Sequence, residues 1–119
     1  MEYGVDVTSK KDEQSANDVN DRQRVLALAL DAVTRDRNAD YGEPEDNFAD
    51  IARLWNAYKG PGIPFSPTDV AVLMILVKIA RISTSPMKED HWVDIAGYAA
   101  CGYQTARVWS KFDTHSQQD

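Results

Sequence analysis

Apolar residues recur every three or four positions in four segments of the chain, and short polar or glycine- and proline-rich stretches separate these segments. This period places the apolar residues of each segment on one side of an α-helix. We expect the first helix to begin at Asn17 or Asp18, both good N-caps, and to end near Arg37. Its apolar positions are Val25, Leu26, Leu28, Ala29, Leu30, Ala32 and Val33.

The second and third helices are predicted from the residues that start them. Pro44 suits the first turn of the second helix, and the glycines and prolines of residues 60–64 end it. Ser66 is the expected N-cap of the third helix, with Pro67 at its first position and Asp69 in the acidic place of a capping box. The third helix is expected to end near Ser83. Because its first two turns are apolar on every side, we expect it to be covered either within the molecule or by a partner chain.

The fourth helix is predicted from Lys88 or Glu89 to Ser110. Gly97 and Gly102 lie in its middle, and each costs the helix about 1 kcal/mol relative to alanine. Such a cost indicates that another helix or a ligand approaches closely. The expected apolar face comprises Trp92, Ile95, Ala96, Ala99, Tyr103 and Ala106, with either Trp109 or Val108 continuing it.

The four segments together predict an all-α protein, a compact four-helix bundle. No segment shows the alternation of a half-buried strand. The predicted helical domain covers residues 17–112. Residues 1–16 are expected to form a disordered, flexible arm, and residues 113–119 a short polar tail, because neither segment has enough apolar surface to bury.

Composition narrows the class of partner. The 119 residues include 13 Lys and Arg against 19 Asp and Glu, a net charge of −6. This acidity argues against a broad interface with polymeric nucleic acid, which needs a basic stripe, although a local basic pocket is allowed. The single cysteine, Cys101, precludes an intrachain disulfide. The start of the chain does not resemble a signal peptide, and the longest apolar run, residues 70–77, is too short to span a membrane, so a cytoplasmic location is expected.

Two acids and two bases form the first candidate site. Asp90 and Asp94 are four residues apart and share a helix face, as do Lys78 and Arg81, three apart. In one interpretation Asp90 caps its helix. Lys78 and Arg81 then stabilise the negative C-terminal end of their own helix dipole and form salt bridges with Asp90 or Asp94. In the other, the bases contact a phosphate beside acids that bind a metal. The spacing leaves both interpretations open.

A second acidic pair and a turn-rich segment add further candidates. Asp46 and Asp50 are also four residues apart, and two such pairs on two helices could converge on Mg²⁺. Tyr41 lies in a turn-rich loop beside Gly42 and could stack a nucleotide base, while Asn47 could hydrogen-bond the edge of the base. The alternative is an ordinary helix connection with Tyr41 packed against the core.

Several short motifs, taken in order, resemble a family of small phage and prophage proteins without a settled biochemical role. The resemblance covers about residues 35–103. Its residues are Asp40-Tyr41-Gly42, Asn47-Phe48, Ile51-Ala52, Leu54-Trp55, Asp69-Val70-Ala71, Met74, Lys78-Ile79-Ala80-Arg81 and Asp90-x-Trp92-Val93-Asp94-Ile95-Ala96-Gly97-Tyr98-Ala99.

More distantly, the pattern resembles the MazG-like and dimeric dUTPase-like nucleoside triphosphate pyrophosphohydrolases. Those are oligomeric helical bundles that hold Mg²⁺ with Glu-x-x-Glu and Glu-x-x-Asp motifs. Glu43-x-x-Asp46 keeps the first spacing across Pro44, whereas Asp90 and Asp94 are one residue too far apart for the second.

The resemblance implies a protein of the host cytoplasm that forms a homo-oligomer, a dimer or tetramer, and acts on a nucleotide or nucleotide-derived molecule. As a pyrophosphohydrolase it would use Asp94 and Asp90 in catalysis, and these two with Glu43, Asp46 or Asp50 would hold Mg²⁺. Lys78 and Arg81 would contact phosphates, and Tyr41, Asn47 or Tyr98 would hold the base. Two alternatives remain: a non-catalytic protein that sequesters a nucleotide signal, and a structural or protein-binding module.

Overall fold

The structure is a computed structural model that describes residues 10–34 and 40–110, with side chains from residue 20 onward. In that part the elements are α-helical and no strand occurs, which confirms the all-α fold. The helices run in the order α1 (Lys10–Thr34), α2 (Pro44–Lys59), α3 (Pro67–Ile82) and α4 (Glu89–Ser110). None of these helices is both long enough and apolar enough to cross a membrane.

The first helix differs from its predicted bounds. It begins at Lys10, ahead of the expected N-caps Asn17 and Asp18, and so extends into the segment predicted to be a flexible arm. Residues 10–16 are mostly Lys, Glu, Gln and other residues that tolerate a helix, so their propensity continues the helix beyond the predicted cap. The predicted end near Arg37, the first nine residues and the polar tail lie outside the described residues.

The start of α3 matches its prediction in detail. The Asp69 amide donates to Ser66 Oγ at 3.1 Å, and the Ser66 amide donates to Asp69 Oδ2 at 2.9 Å. Just before it, the Asn56 side chain accepts from the Phe65 amide at 2.7 Å and donates to the Phe65 carbonyl at 3.0 Å. The intervening loop turns at Gly60, whose φ of 83° favours glycine. Side-chain hydrogen bonds thus set the position of α3 relative to α2.

Helix α4 is the centre of the bundle, because α1, α2 and α3 all pack against it. The core joins Phe48 and Ala52 of α2, Val70 and Ala71 of α3, and Cys101 of α4. Partly buried apolar residues surround this core: Val33, Ile51, Trp55, Phe65, Met74 and Tyr98.

The predicted apolar face of α4 is wrong in part. Trp92 and Tyr103 are 46% and 66% exposed, and Ala99 is also exposed. The reason is the close approach of α3: a Cβ built on Gly102 would lie 2.9 Å from Ala71 Cβ. Small side chains allow this spacing, so the rings are turned to the periphery. The buried residues of α4 are His91, Val93, Gly97, Cys101, Gly102 and Thr105.

Two other helices present apolar side chains outward. On α1, Ala29 is buried, whereas Leu26 and Leu30 are 64% and 62% exposed. On α3, Val70 and Ala71 are buried and the opposite side is open. The interpretation in which the molecule itself covers α3 on every side is therefore wrong for the described chain.

Candidate functional site

An ion pair links α3 to α4 at the surface of the bundle. Lys78 Nζ lies 2.9 Å from Asp94 Oδ2, and the two side chains are 14% and 39% exposed. The helices are antiparallel, because Ala71 meets Gly102 near one end while Lys78 meets Asp94 toward the other. Of the alternatives left open by the sequence, the pairing of Lys78 with Asp94 is present.

The next turn of both helices carries the other two candidates. Arg81 follows Lys78 by three residues and Asp90 precedes Asp94 by four, so the antiparallel register places them at the same level. Both are exposed. Within the part of the chain that the structure describes, Lys78 pairs with Asp94, whereas the Arg81 guanidinium forms no ion pair. Its guanidinium is therefore open to an anion from solution.

Two adjoining cavities follow the groove between α1 and α4. The first has a volume of about 130 Å³ and is lined by Ala32, Val33, Val93, Asp94, Gly97, Tyr98 and Cys101. The second, of about 320 Å³, is lined by Val33, Thr34, Glu43, Pro44, Ala100, Cys101 and Gln104. They share Val33 and Cys101, so a ligand in one can extend into the other.

Asp94 connects the ion pair to this groove. Its carboxylate both accepts the Lys78 ammonium and lines the first cavity, where Tyr98 is its neighbour. Lys78 neutralises the carboxylate and holds it in place. The remaining lone pairs of Asp94 can accept hydrogen bonds from amino, imino or hydroxyl groups of a ligand.

The predicted magnesium ligands do not gather within one chain. Asp46 and Asp50 are exposed on the side of α2 opposite the buried Phe48 and Ala52, and Asp50 pairs with Arg53 at 2.8 Å. Glu43 lines the second cavity, away from Lys78 and Asp94. No three Asp, Glu, His or Cys residues in the described ranges are placed to hold a metal ion. Within the described residues of one chain, these acids therefore lie apart from one another.

The two predicted base-binding residues on the α2 side are also separate from the groove. Tyr41 is 62% exposed, and so does not pack against the core as the alternative interpretation expected. Asn47 lies in the first turn of α2, where its backbone N–H donates to the Glu43 carbonyl at 3.0 Å. Neither residue lines the two cavities, whereas Tyr98 does.

His91 is a residue whose position the sequence did not indicate. It is 9% exposed, and its Nδ1 lacks a hydrogen-bond partner among the described residues. Buried polar atoms nearly always have a hydrogen-bond partner, so His91 Nδ1 is an exception among the described residues.

A third, open groove lies between α1 and the start of α4. It has a volume of about 570 Å³ and includes Leu26, Met87 and Trp92 in its lining. Arg24 crosses nearby to Glu89, with Nε 2.6 Å from Oε2. The hydrogen bond that Arg24 donates to Glu89, together with the negative charge of Glu89, raises the pKa of Arg24 above its ordinary value. This pair joins α1 to α4 at the surface.

Comparison with known proteins places the chain in a family. A domain family of unknown function, DUF6378, matches residues 24–106, so the chain belongs to this family. It is 48% identical over 75 residues to the Gene 55 protein of Mycobacterium phage L5, covering 63% of this chain and 47% of that protein. It is 43% identical over 79 residues to the Gene 55 protein of Mycobacterium phage D29, covering 66% and 51%.

The chain thus spans about half the length of these phage relatives. The expected membership of a small phage protein family is confirmed. No solved structure matches the chain.

Proposed function

We propose that this DUF6378-family protein binds a nucleotide or nucleotide-derived molecule between Arg81 and the α1–α4 groove, without hydrolysing it. The observation that carries the proposal is the juxtaposition of an unpaired, exposed Arg81 with the neutralised Lys78–Asp94 pair. The resemblance to MazG-like proteins also favours a nucleotide. The proposed setting is the cytoplasm of an infected host.

The charges suit a ligand with one anionic end. Arginine binds phosphate through paired hydrogen bonds, and Arg81 has no competing carboxylate within ion-pair distance in the described structure. Because Lys78 compensates Asp94, the carboxylate does not strongly repel a nearby phosphate. Measured along the axes of the paired helices, Arg81 and Asp94 are about one helical turn apart, roughly 5 Å. A nucleoside phosphate can span this interval.

The groove suits the other end of such a ligand. The cavity beside Asp94 adjoins a second one of about 320 Å³, which lies at the lower limit for sites that enclose small molecules. The smaller cavity, about 130 Å³, has a mainly apolar lining, with Tyr98 as an aromatic wall and Asp94 as an acceptor for base or sugar donors. Gln104 and Thr34 add polar groups at the far side. This mixture favours a base or sugar over a bare anion.

Binding is favoured over hydrolysis because the acids are dispersed. A pyrophosphohydrolase of the MazG-like kind needs several carboxylates around Mg²⁺. Here Asp94 is paired with Lys78, and Asp46 and Asp50 lie on an outward side of α2. The ligand is therefore expected to be released unchanged.

The test is calorimetric titration with a panel of ribo- and deoxyribonucleoside mono-, di- and triphosphates, with Mg²⁺ and again with EDTA. We expect one class to bind in both conditions and to be recovered intact by chromatography. Arg81→Ala should weaken its binding about tenfold, or about 1.4 kcal/mol, because a hydrogen-bonded charge contact is lost. Arg53→Ala removes an exposed arginine on another helix and should leave affinity unchanged.

Three results would count against the proposal. Release of pyrophosphate would make the protein an enzyme and restore the hydrolase hypothesis. Equal affinity of Arg81→Ala and the parent chain would exclude the assigned phosphate contact. Absence of binding by every nucleotide in the panel would favour a structural or protein-binding module.

A further inference from the structure

The groups of the proposed nucleotide site follow one another along α4 in a fixed order. Arg81 lies about one turn before the level of Asp94, and Tyr98 lies one turn beyond it. Further along, Cys101 lines both cavities and so marks where they meet. The site therefore runs from an exposed cation, past a carboxylate, into a partly enclosed groove.

Arg81 lies on the groove side of α3. It follows the buried Val70 by eleven residues, close to three full turns, so both lie on the side of α3 that packs inward. Lys78, three residues before Arg81, is its neighbour on this side and contacts Asp94. A phosphate bound by Arg81 is therefore placed next to the Lys78–Asp94 pair.

Asp94 offers acceptor oxygens to the ligand beyond that phosphate. Lys78 Nζ lies 2.9 Å from Oδ2, whereas Oδ1 has no hydrogen-bond partner among the described residues. The side chain is 39% exposed and lines the first cavity. An ionised carboxylate only accepts hydrogen bonds, so the part of the ligand that meets Asp94 must carry donors.

The reach of a nucleotide decides which of its donors meet Asp94. Along the paired helices, Arg81 and Asp94 are roughly 5 Å apart. In a 5′-nucleotide the 3′- and 2′-hydroxyl oxygens are five and six covalent bonds from the phosphorus, a reach of roughly 5–7 Å for bent single bonds of about 1.5 Å. The hydrogen-bonding edge of the base lies about twice as far from the phosphorus. With the phosphate on Arg81, the sugar and not the base comes to Asp94.

The two cavities have the sizes and the order that this placement needs. The first, about 130 Å³, is less than half the volume of the second, about 320 Å³, so the first suits a pentose and the second a base. Tyr98 lines the first cavity, and its ring is held beside Phe48 at a centroid distance of 6.4 Å. Cys101 lies seven residues after Asp94, roughly 10 Å along the helix, where the base would end.

We propose that Asp94 binds the ribose of the nucleotide, with its carboxylate accepting hydrogen bonds from the 2′- and 3′-hydroxyls, so that the site selects ribonucleotides over 2′-deoxyribonucleotides. This inference rests on the proposed function and adds the sugar to it. Lys78 acts as a positioning residue that fixes the carboxylate and compensates its charge beside the phosphate. Loss of one hydrogen bond to a partly exposed carboxylate should weaken binding about tenfold.

Calorimetric titration in EDTA tests the selection directly. The probes are the 5′-mono- and triphosphates of the four ribonucleosides, each beside its 2′-deoxy counterpart. We expect the ribonucleotide of the preferred base to bind about tenfold more tightly than its deoxy form. Equal affinities, or tighter binding of the deoxy form, would overturn the ribose contact and leave the proposed function standing. Absence of binding by every probe would overturn both.

Variants assign the preference to Asp94. The double variant Lys78→Met, Asp94→Ala removes the acceptor without leaving a largely buried ammonium unpaired, and it should bind both sugars equally. Lys78→Met alone keeps Asp94 and should keep the preference. Far-UV circular dichroism shows that each variant is folded. A ribose preference that persists in the folded double variant would overturn the assignment to Asp94.

Asp50→Ala is the matched control. Asp50 is also a carboxylate paired with a cation, Arg53 Nη1 at 2.8 Å, but it lies on α2 and lines neither cavity. Its removal should leave both the affinity and the ribose preference of the parent. Loss of the preference in Asp50→Ala would show that it does not depend on a contact in the groove, and would overturn the inference.

Discussion

Gly102 of α4 lies directly against Ala71 of α3, so closely that a Cβ at position 102 would be 2.9 Å from the Ala71 Cβ. The contact lies beside the core residues Val70 and Cys101. It explains why α4 tolerates a glycine in its interior. The missing side chain allows the two helices to pack at this spacing.

Gly102→Ala should therefore destabilise the protein, although alanine favours a helix by about 1 kcal/mol. The added methyl must push α3 and α4 apart, and such overpacking typically costs about 1–3 kcal/mol. We expect a net loss of about 1 kcal/mol in the free energy of unfolding, measured by urea denaturation.

Gly97→Ala is the matched control on the same helix. Its Cβ would meet Val33 Cγ1 at 3.5 Å, an ordinary contact. The helix propensity should then dominate, with a gain of up to about 1 kcal/mol. Equal effects of the two substitutions would contradict the close approach at Gly102.

The Lys78–Asp94 pair should contribute a measurable coupling. The Lys78 ammonium is largely buried, whereas the Asp94 carboxylate is more exposed. The interaction free energy of the pair should therefore lie between the values of surface and buried ion pairs. A double-mutant cycle with Lys78→Met and Asp94→Asn should give about 1 kcal/mol of interaction. The exposed Arg53–Asp50 pair, in the same kind of cycle, should give less. Coupling near zero for Lys78 and Asp94 would contradict their contact.

Asn56→Ala should destabilise the connection between α2 and α3. The Asn56 side chain satisfies both the amide and the carbonyl of Phe65, which are partly buried. Leaving such groups without partners costs about 1–3 kcal/mol. Asn47→Ala is a suitable comparison on the same helix and should cost less than Asn56→Ala. Thermal unfolding that ranks the two variants in the opposite order would exclude the assigned role of Asn56.

Ser66→Ala should cost about 1 kcal/mol, the usual value for losing an N-cap oxygen. Ser66 Oγ accepts the Asp69 amide, and alanine cannot replace it. Ser83→Ala tests the other end of α3, where the hydroxyl donates to the Ala80 carbonyl, and should have a smaller effect. Denaturation midpoints of the two variants should differ accordingly; equal midpoints would argue against the capping box.

The local start signals were the most reliable predictors of structure. Pro44 begins α2, and Ser66, Pro67 and Asp69 begin α3 as expected, because these residues act on the backbone of their own turn. The orientation of α4 was less predictable. Periodicity predicted an apolar side that includes Trp92 and Tyr103, because large apolar residues usually lie inside.

In the candidate site too, contacts within one helix were predictable from the sequence, whereas contacts between helices were not. Spacing grouped Asp90 with Asp94 and Lys78 with Arg81, because residues three or four apart on one helix are neighbours. It could not decide which acid meets which base, since that depends on the antiparallel register of two helices. Nor could spacing show that Asp46 and Asp50 point away from α4.

By itself, the sequence determined the helices and most of their starts, through periodicity and capping residues that act over one or two turns. Only the tertiary structure decided which sides of those helices are buried, that Asp94 pairs with Lys78 while Arg81 stays open, and that one side of α3 is uncovered in the described chain. These outcomes depend on contacts between distant segments. The close contact of Gly102 with Ala71 is possible because glycine has no side chain. That property matters only once a second helix packs against position 102, so the sequence of α4 alone could not show it.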